Sequence, residues 1–391
     1  MNTAVCRSRG MRGLPSGVDG WLLLDVLLLA GLGVVMVSSA SLHLGGARGE
    51  PFAYLEKHLL ALFLGVTGAF LALQVPSRWL ERASPALYFL GIALLVLVLI
   101  PGVGKTVNGA TRWVAVGGFN LQTSEFMKLF MIFYMAGYLV RRKVEVAHTL
   151  WGVVKPVMLV ALAAMLLMAQ PDFGTTAVLL ATVMGMLFLG GAPLWQFGTL
   201  FLLVLLGGAA LVVTSPYRLE RVTSFLDPWS DPLDSGYQLS QALIAFGRGE
   251  WTGVGLGNGI QKQFYLPEAH TDFIMAVIGE EFGLVGTLAV ILLFALLVWR
   301  AFSIGALAEA AGRRYAAHVA WGIGLWLGMQ AFINIGVNVG LLPTKGLTLP
   351  FISYGSNSLI VSCVAVGVLL RIHWENCTGD ESAGGGPWRA S

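Results

Sequence analysis

The chain of 391 residues is 56% hydrophobic and only 12% charged, where a soluble domain carries roughly 25% charged residues. That balance excludes a water-soluble globular protein, and a net charge of +3 is too small for a nucleic-acid surface built on excess positive charge. The 50 glycines suit helices that pack closely in lipid.

Apolar runs long enough to cross a hydrocarbon core of about 30 Å recur from Trp21 almost to the end. In chain order the windows predict ten spans, at about 21–41, 57–75, 85–101, 122–140, 151–169, 174–190, 194–214, 273–300, 317–340 and 355–371. The expected fold is an all-α polytopic integral membrane protein with about ten transmembrane helices and a long extracytoplasmic loop, 215–272, between helices 7 and 8. Residues 1–18 read as a disordered cytoplasmic tail, 19–375 as the transmembrane domain, and 376–391 as a second flexible tail. Lysines and arginines gather in the N-terminal tail, at Arg78 and Arg82, at 141–143, and at Arg300, Arg313 and Arg314. They outnumber those on the opposite side, so the positive-inside rule puts both termini in the cytoplasm. Four segments are then outside: Lys105–Gln122, Pro171–Gly174, Ser215–Asp272 and Leu342–Gly355. Within the long loop, Ser235 and Gln238 have capping-box spacing, followed by Leu239, Ala242, Leu243 and Phe246 at helical spacing. This predicts a short amphipathic helix on the outer membrane surface.

Two tempting motifs fail. Gly104-Lys105-Thr106 ends like a P-loop, but Leu99 stands where that pattern needs glycine. The run Gly253, Gly255, Gly257, Gly259 is too regular for a dinucleotide fingerprint; it reads as a tight turn, with an anion site on its amides as the alternative. Charges in or beside the spans are more informative, because each costs about 3 kcal/mol at the bilayer centre. Glu125 and Lys128 share a helix face three residues apart and can neutralise each other. Asp172 starts the sixth span, where capping alone would account for it. Glu280 and Glu281 lie two turns into the eighth. The densest group is Glu268-Ala269-His270-Thr271-Asp272, which brings two carboxylates and an imidazole to the outer mouth of that span. A general base needs such a group, ionised, rigidly held and open to water on one side.

These stretches resemble the SEDS (FtsW/RodA/SpoVE) family of peptidoglycan polymerases. The resemblance is carried by 107–113, by Gln122-Thr-Ser-Glu-Phe-Met-Lys128, Pro171-Asp-Phe-Gly-Thr175, 217–229, 253–262, 266–274 and 338–355. Ala269, together with Ser-Phe-Leu-Asp-Pro-Trp and Gly-Tyr-Gln-Leu, aligns the chain with division-type rather than elongation-type members. The resemblance implies glycan polymerisation from lipid II on the outer face of the cytoplasmic membrane, at the division septum. It maps the catalytic carboxylate onto Asp272, and cavity residues onto Lys128 and Asp172. The chain departs from the family pattern at Thr123, Gln170 and Ser356-Asn357, the last being expected to alter how the tenth span packs.

The chemistry agrees. An acceptor hydroxyl loses a proton as it attacks an anomeric carbon, while a lipid diphosphate leaves as a stable anion and needs no acid partner, unlike the alcohol of a glycoside. Asp272 would be the base; Glu268 and His270 flank it. Lys128, Lys345, Arg248 and Lys262, or a divalent cation such as Mg or Mn, are candidates to balance the diphosphate. The implied partners are lipid II, a class B penicillin-binding transpeptidase, other divisome membrane proteins and the membrane lipids. Two rival readings are a lipid II flippase, which would show charged groups to both leaflets, and a non-catalytic scaffold, which would not need the intact Glu-Ala-His-Thr-Asp motif.

Overall fold

The computed structural model describes residues 17–46, 49–107, 110–116, 119–214, 219, 223–234, 236–343 and 346–379. The expected tails, Ser235 and Lys345 therefore lie largely or wholly outside the described residues.

The helices, in chain order, are α1 (Gly20–Gly46), α2 (Ala53–Gln74) and α3 (Ser77–Leu99), then α4 (Thr123–Arg141), α5 (Lys143–His148), α6 (Leu150–Ala169), α7 (Phe173–Leu189) and α8 (Leu194–Val213). After the long loop's α9 (Tyr237–Gly249) come α10 (Ile274–Ala310), α11 (Arg314–Asn338) and α12 (Ser356–Thr378). The protein is a helical, polytopic membrane protein. Seven of these helices, α1, α2, α3, α6, α10, α11 and α12, are long and apolar enough to cross a bilayer. The other three expected spans form as helices too: α7 and α8 are apolar but shorter by this measure, and α4 carries Glu125, Lys128 and Arg141. The elements sit where the apolar runs put them because every backbone polar group inside lipid must be satisfied within its own segment.

The all-helical expectation misses one element. Between α3 and α4 the chain makes an antiparallel sheet of β1 (Gly104–Val107), β2 (Ala110–Val116) and β3 (Phe119–Gln122), in the order β1-β2-β3. Lys105 pairs with Trp113, and Trp113 with Gln122. Because β3 runs straight into α4, the sheet is fixed to the bundle, and Arg112 on its middle strand is carried over the helix ends.

At the centre stands α11, packed against α10, α7 and α4. Its buried Trp326, Gln330, Asn334 and Asn338 give a span with a continuous polar stripe. α12 packs chiefly on α2. At the end from which α3 and α11 start, buried ion pairs tie the bundle: Arg300 bonds Asp19, and Arg371 Nε donates to Glu375 Oε1 at 2.7 Å. Glu375 in turn accepts from the Ser77 amide at 3.0 Å and its hydroxyl at 2.6 Å.

The long helix α10 breaks at Gly283, with φ 64° and ψ −158°. The break frees carbonyls that the glycine-rich segment before it takes up: the amides of Val254 and Gly255 donate to Glu280 O and Glu281 O at 3.0 and 3.1 Å. Gly253 has φ +81°, and a Cβ there would stand 2.1 Å from Glu281 O, so only glycine fits. The glycine run is thus a backbone splice onto a kinked helix: the amides of Val254 and Gly255 are spent on it and that of Gly253 on Gly249 O, at 2.7 Å, rather than on an anion. The helix expected in the long loop forms as α9. It packs on α10 and α11 with Leu239, Ala242 and Ala245 buried, so its apolar face meets protein rather than lying on the membrane surface.

Candidate active site

Asp272 sits in the turn leading into α10, half-buried, with its main chain held from α11. Asn334 and Asn338 both donate to its carbonyl at 2.9 Å, and Asn338 Oδ1 accepts from the Ala276 amide at 3.1 Å. Thr271 O receives the Ser353 hydroxyl at 2.6 Å, and His270 O receives the Tyr354 amide at 2.9 Å. Three consecutive carbonyls are therefore anchored on α11 and on the segment before α12. That leaves the Asp272 carboxylate as the free end of a fixed turn. Gly346 lies against it: a Cβ there would be 3.1 Å from Asp272 Oδ2.

The carboxylate opens into a cavity of about 2180 Å³, also lined by Lys57, Arg112, Glu125, Asp172 and Glu268. Its remaining walls are largely apolar, from α6, α7 and α8. Met165 and Phe201 line it yet are 63% and 51% exposed, so the cavity reaches the lipid-facing surface. Burial pushes the Asp272 carboxyl up to about 7, helped by the carboxylates of Glu268 and Asp172 and opposed by the Arg112 guanidinium.

Asp172 caps α7 through Oδ1, which accepts from the Thr175 amide at 3.4 Å. The same oxygen is 3.9 Å from Arg112 Nη1. Its other oxygen is buried without a hydrogen-bond partner and belongs to a residue on the cavity wall. Arg112 also donates to the carbonyls of Gln170, at 3.3 Å, and Pro171, which pins the β-sheet over the start of α7. The departure at Asn357 adds a second pin, since its side chain donates to Asn120 O at 2.7 Å. The four segments expected outside thus meet at one end of the bundle, and they bring Arg112, Asp172, Asp272 and Gly346 together.

Other expected site residues are placed differently. Lys128 is buried beneath the cavity, 3.0 Å from Glu125 Oε2, donating to Gln330 Oε1 at 2.7 Å and lying 5.1 Å from the Trp326 ring. Its charge is already balanced, while Glu125 reaches the wall. Lys262 does not face the cavity: it is buried against Glu281 at 2.5 Å and the Ser39 hydroxyl at 2.7 Å. Arg248 lies 3.7 Å from Glu280, which accepts from the amides of Ile260 and Gln261 at 2.9 and 3.1 Å. Both cations fasten the long loop to the kink in α10. His270 turns away from the cavity to pack edge-on against Tyr54, 5.1 Å between ring centroids, with Tyr354 at 5.6 Å. Burial lowers its pKa, with Glu268 opposing. Glu268 is exposed, accepts the Thr271 hydroxyl at 2.7 Å and has φ 55°, a conformation a side chain rarely adopts and one that fixes the turn before Asp272.

Sequence reasoning missed Arg112, Lys57 and the asparagines. The asparagines had a signal: Gln330, Asn334 and Asn338 are spaced by four in an apolar span and so share one helix face. Arg112 had none short of the sheet. Among the described residues no three His, Cys, Asp or Glu side chains come together to hold a metal ion.

Comparison with known proteins defines the class. The family described as "Cell cycle protein" (FTSW_RODA_SPOVE) matches residues 20–377. The chain is 60% identical to the probable peptidoglycan glycosyltransferase FtsW of Allochromatium vinosum over 91% of its own length and 89% of the relative's. It is 56% identical to that of Methylococcus capsulatus over 94% of each. Among solved structures, a chain from a peptidoglycan synthase complex, studied for its coordination of polymerization and crosslinking, superposes with a TM-score of 0.77 at 33% identity, covering 92% of this chain and 99% of that one. The rod shape determining protein RodA of Thermus thermophilus gives 0.68 at 28% identity, covering 92% and 97%. The chain belongs to the FtsW/RodA/SpoVE family, and its curated relatives here are of the FtsW type.

Proposed function

We propose that this chain is a peptidoglycan glycosyltransferase that polymerises lipid II on the outer face of the cytoplasmic membrane during cell division, with Asp272 as general base. The observation that carries the base assignment is the Asp272 carboxylate, held by its own main chain and opening into a large cavity with its pKa near neutrality. A base is most effective when its pKa lies near the working pH. The acceptor sugar hydroxyl attacks the donor's anomeric carbon, and its proton passes to Asp272. As that C–O bond forms, the bond from the anomeric carbon to the diphosphate breaks, and the lipid diphosphate leaves with the electron pair. Arg112 and Lys57 are the described cations on the cavity wall and take the balancing role given on sequence to Lys128, Arg248 and Lys262. The unpartnered oxygen of Asp172 accepts from a substrate hydroxyl or amide. The apolar walls take the start of the lipid chain.

The same reading puts both termini in the cytoplasm, the protein at the septum, and a class B penicillin-binding transpeptidase beside it in the membrane. A flippase would need charged groups serving both leaflets in turn, whereas the charged cavity residues here gather at one end. The test is polymerisation of labelled lipid II by the purified protein with its transpeptidase partner, comparing the native chain with Asp272→Ala. Glycan chains should vanish in the variant while its melting profile is retained; full activity in the variant would overturn the assignment.

A further inference from the structure

A second pocket lies at the opposite end of the bundle from Asp272. α11 joins the two: it begins at Arg314 in this pocket and ends at Asn338, which holds the Asp272 carbonyl, an axial distance of about 36 Å at the helical rise. The pocket, about 240 Å³, is lined by Ser77, Arg78, Glu81, Arg313, Arg314 and Tyr315. Among the described lining residues three guanidiniums stand beside one carboxylate, and Arg313 also donates to the Asn376 side chain.

Tyr315 shows that the pocket is built to hold something. It is 6% exposed, and its hydroxyl is buried with no hydrogen-bond partner. Tyr315 and the Glu81 carboxylate both line the pocket. A buried hydroxyl left unsatisfied costs about 1–3 kcal/mol, and a phenol is a good donor to an anionic oxygen. The first turn of α11 carries no side-chain cap, so its free amides add positive potential. The start of α3 contributes less, because Glu375 already takes the Ser77 amide and hydroxyl.

Depth identifies the occupant. Both α3 and α11 are long enough to span the bilayer, so a pocket at their first residues lies at the headgroup level. Next to Arg78, Trp79 is 54% exposed with the Arg82 guanidinium 5.8 Å from its ring, the amphipathic pairing found at membrane interfaces. Basic pockets between spanning helices at this level suit phosphate headgroups. We propose that the pocket formed by Arg78, Arg313, Arg314 and Tyr315 binds the phosphate group of an anionic phospholipid from the leaflet opposite the Asp272 site.

The test is native mass spectrometry of the full chain, titrated separately with phosphatidylglycerol and phosphatidylcholine. Preferential retention of phosphatidylglycerol is expected. The Arg78→Gln, Arg314→Gln double variant should lower its apparent affinity roughly tenfold to thirtyfold, at about one surface charge each. Tyr315→Phe keeps the packing and should lower it severalfold, with an unchanged melting profile as the folding control. No preference for phosphatidylglycerol, or equal retention by native and variant proteins of intact fold, would overturn the proposal. A third arm uses inorganic phosphate without lipid. If it raises the melting temperature as much as phosphatidylglycerol and displaces the lipid, the site takes a soluble phosphate and the lipid assignment falls.

Discussion

The neighbours of Asp272 pull on its carboxyl in opposite directions, and this yields a prediction that activity loss alone does not. With the carboxyl near 7, about one tenth is ionised at pH 6 and about nine tenths at pH 8. Only the ionised form accepts the acceptor hydroxyl's proton, so polymerisation at subsaturating lipid II should rise about tenfold over that interval. Glu268 raises this pKa and Arg112 lowers it. Glu268→Gln should therefore move the acidic limb of the profile to lower pH, and Arg112→Gln should move it to higher pH. Arg112→Gln also loosens the carbonyls of Gln170 and Pro171, so its plateau rate should fall as well. Initial rates of glycan formation from labelled lipid II between pH 5.5 and 9 measure both effects. A profile flat from pH 6 to 8, or the two variants shifting it the same way, would refute Asp272 as the base whose charge state limits the rate.

Three further outcomes follow from the packing. Lys262→Met should lower stability by about 3–5 kcal/mol, because it leaves Glu281 buried without its cation; thermal unfolding in detergent reads this directly. Gly346→Ala should reduce kcat by about tenfold or more while the melting temperature stays within about 2 °C, since, chain neighbours aside, the added methyl meets among described heavy atoms within 4 Å only the Asp272 carboxylate, Oδ2 at 3.1 Å and Cγ at 3.9 Å. Gly253→Ala should abolish folded expression, assessed by size exclusion of a fluorescent fusion, because its Cβ would collide with the Glu281 carbonyl and its φ is positive.

Spans and motif were legible because both are local properties. A run of apolar residues is a helix in lipid whatever surrounds it, and Asp272 stands out as a carboxylate at the mouth of such a run. What was illegible depends on residues distant in sequence. Lys262 looks free until Glu281 and Ser39, the latter 223 positions away, close on it. His270, two residues from Asp272, seemed part of one polar group, yet the turn sends it towards Tyr54 on α2. Arg112 looked like one basic loop residue among several until a three-stranded sheet carried it over α7. The glycines of the splice were visible as a run, but their purpose rests on the break at Gly283, which hides inside an apolar stretch.

The cavity reaches the lipid-facing side at Met165 and Phe201, and this bears on how the reaction should be counted. A substrate entering by that wall never passes through bulk water, so its supply is set by how many molecules share a given area of membrane. Diluting the vesicles at fixed composition should leave the turnover rate untouched, while diluting the substrate among inert lipids at fixed total amount should slow it. Saturation constants for this protein therefore belong on a scale of mole fraction, and values quoted per litre will differ between laboratories that use different amounts of lipid.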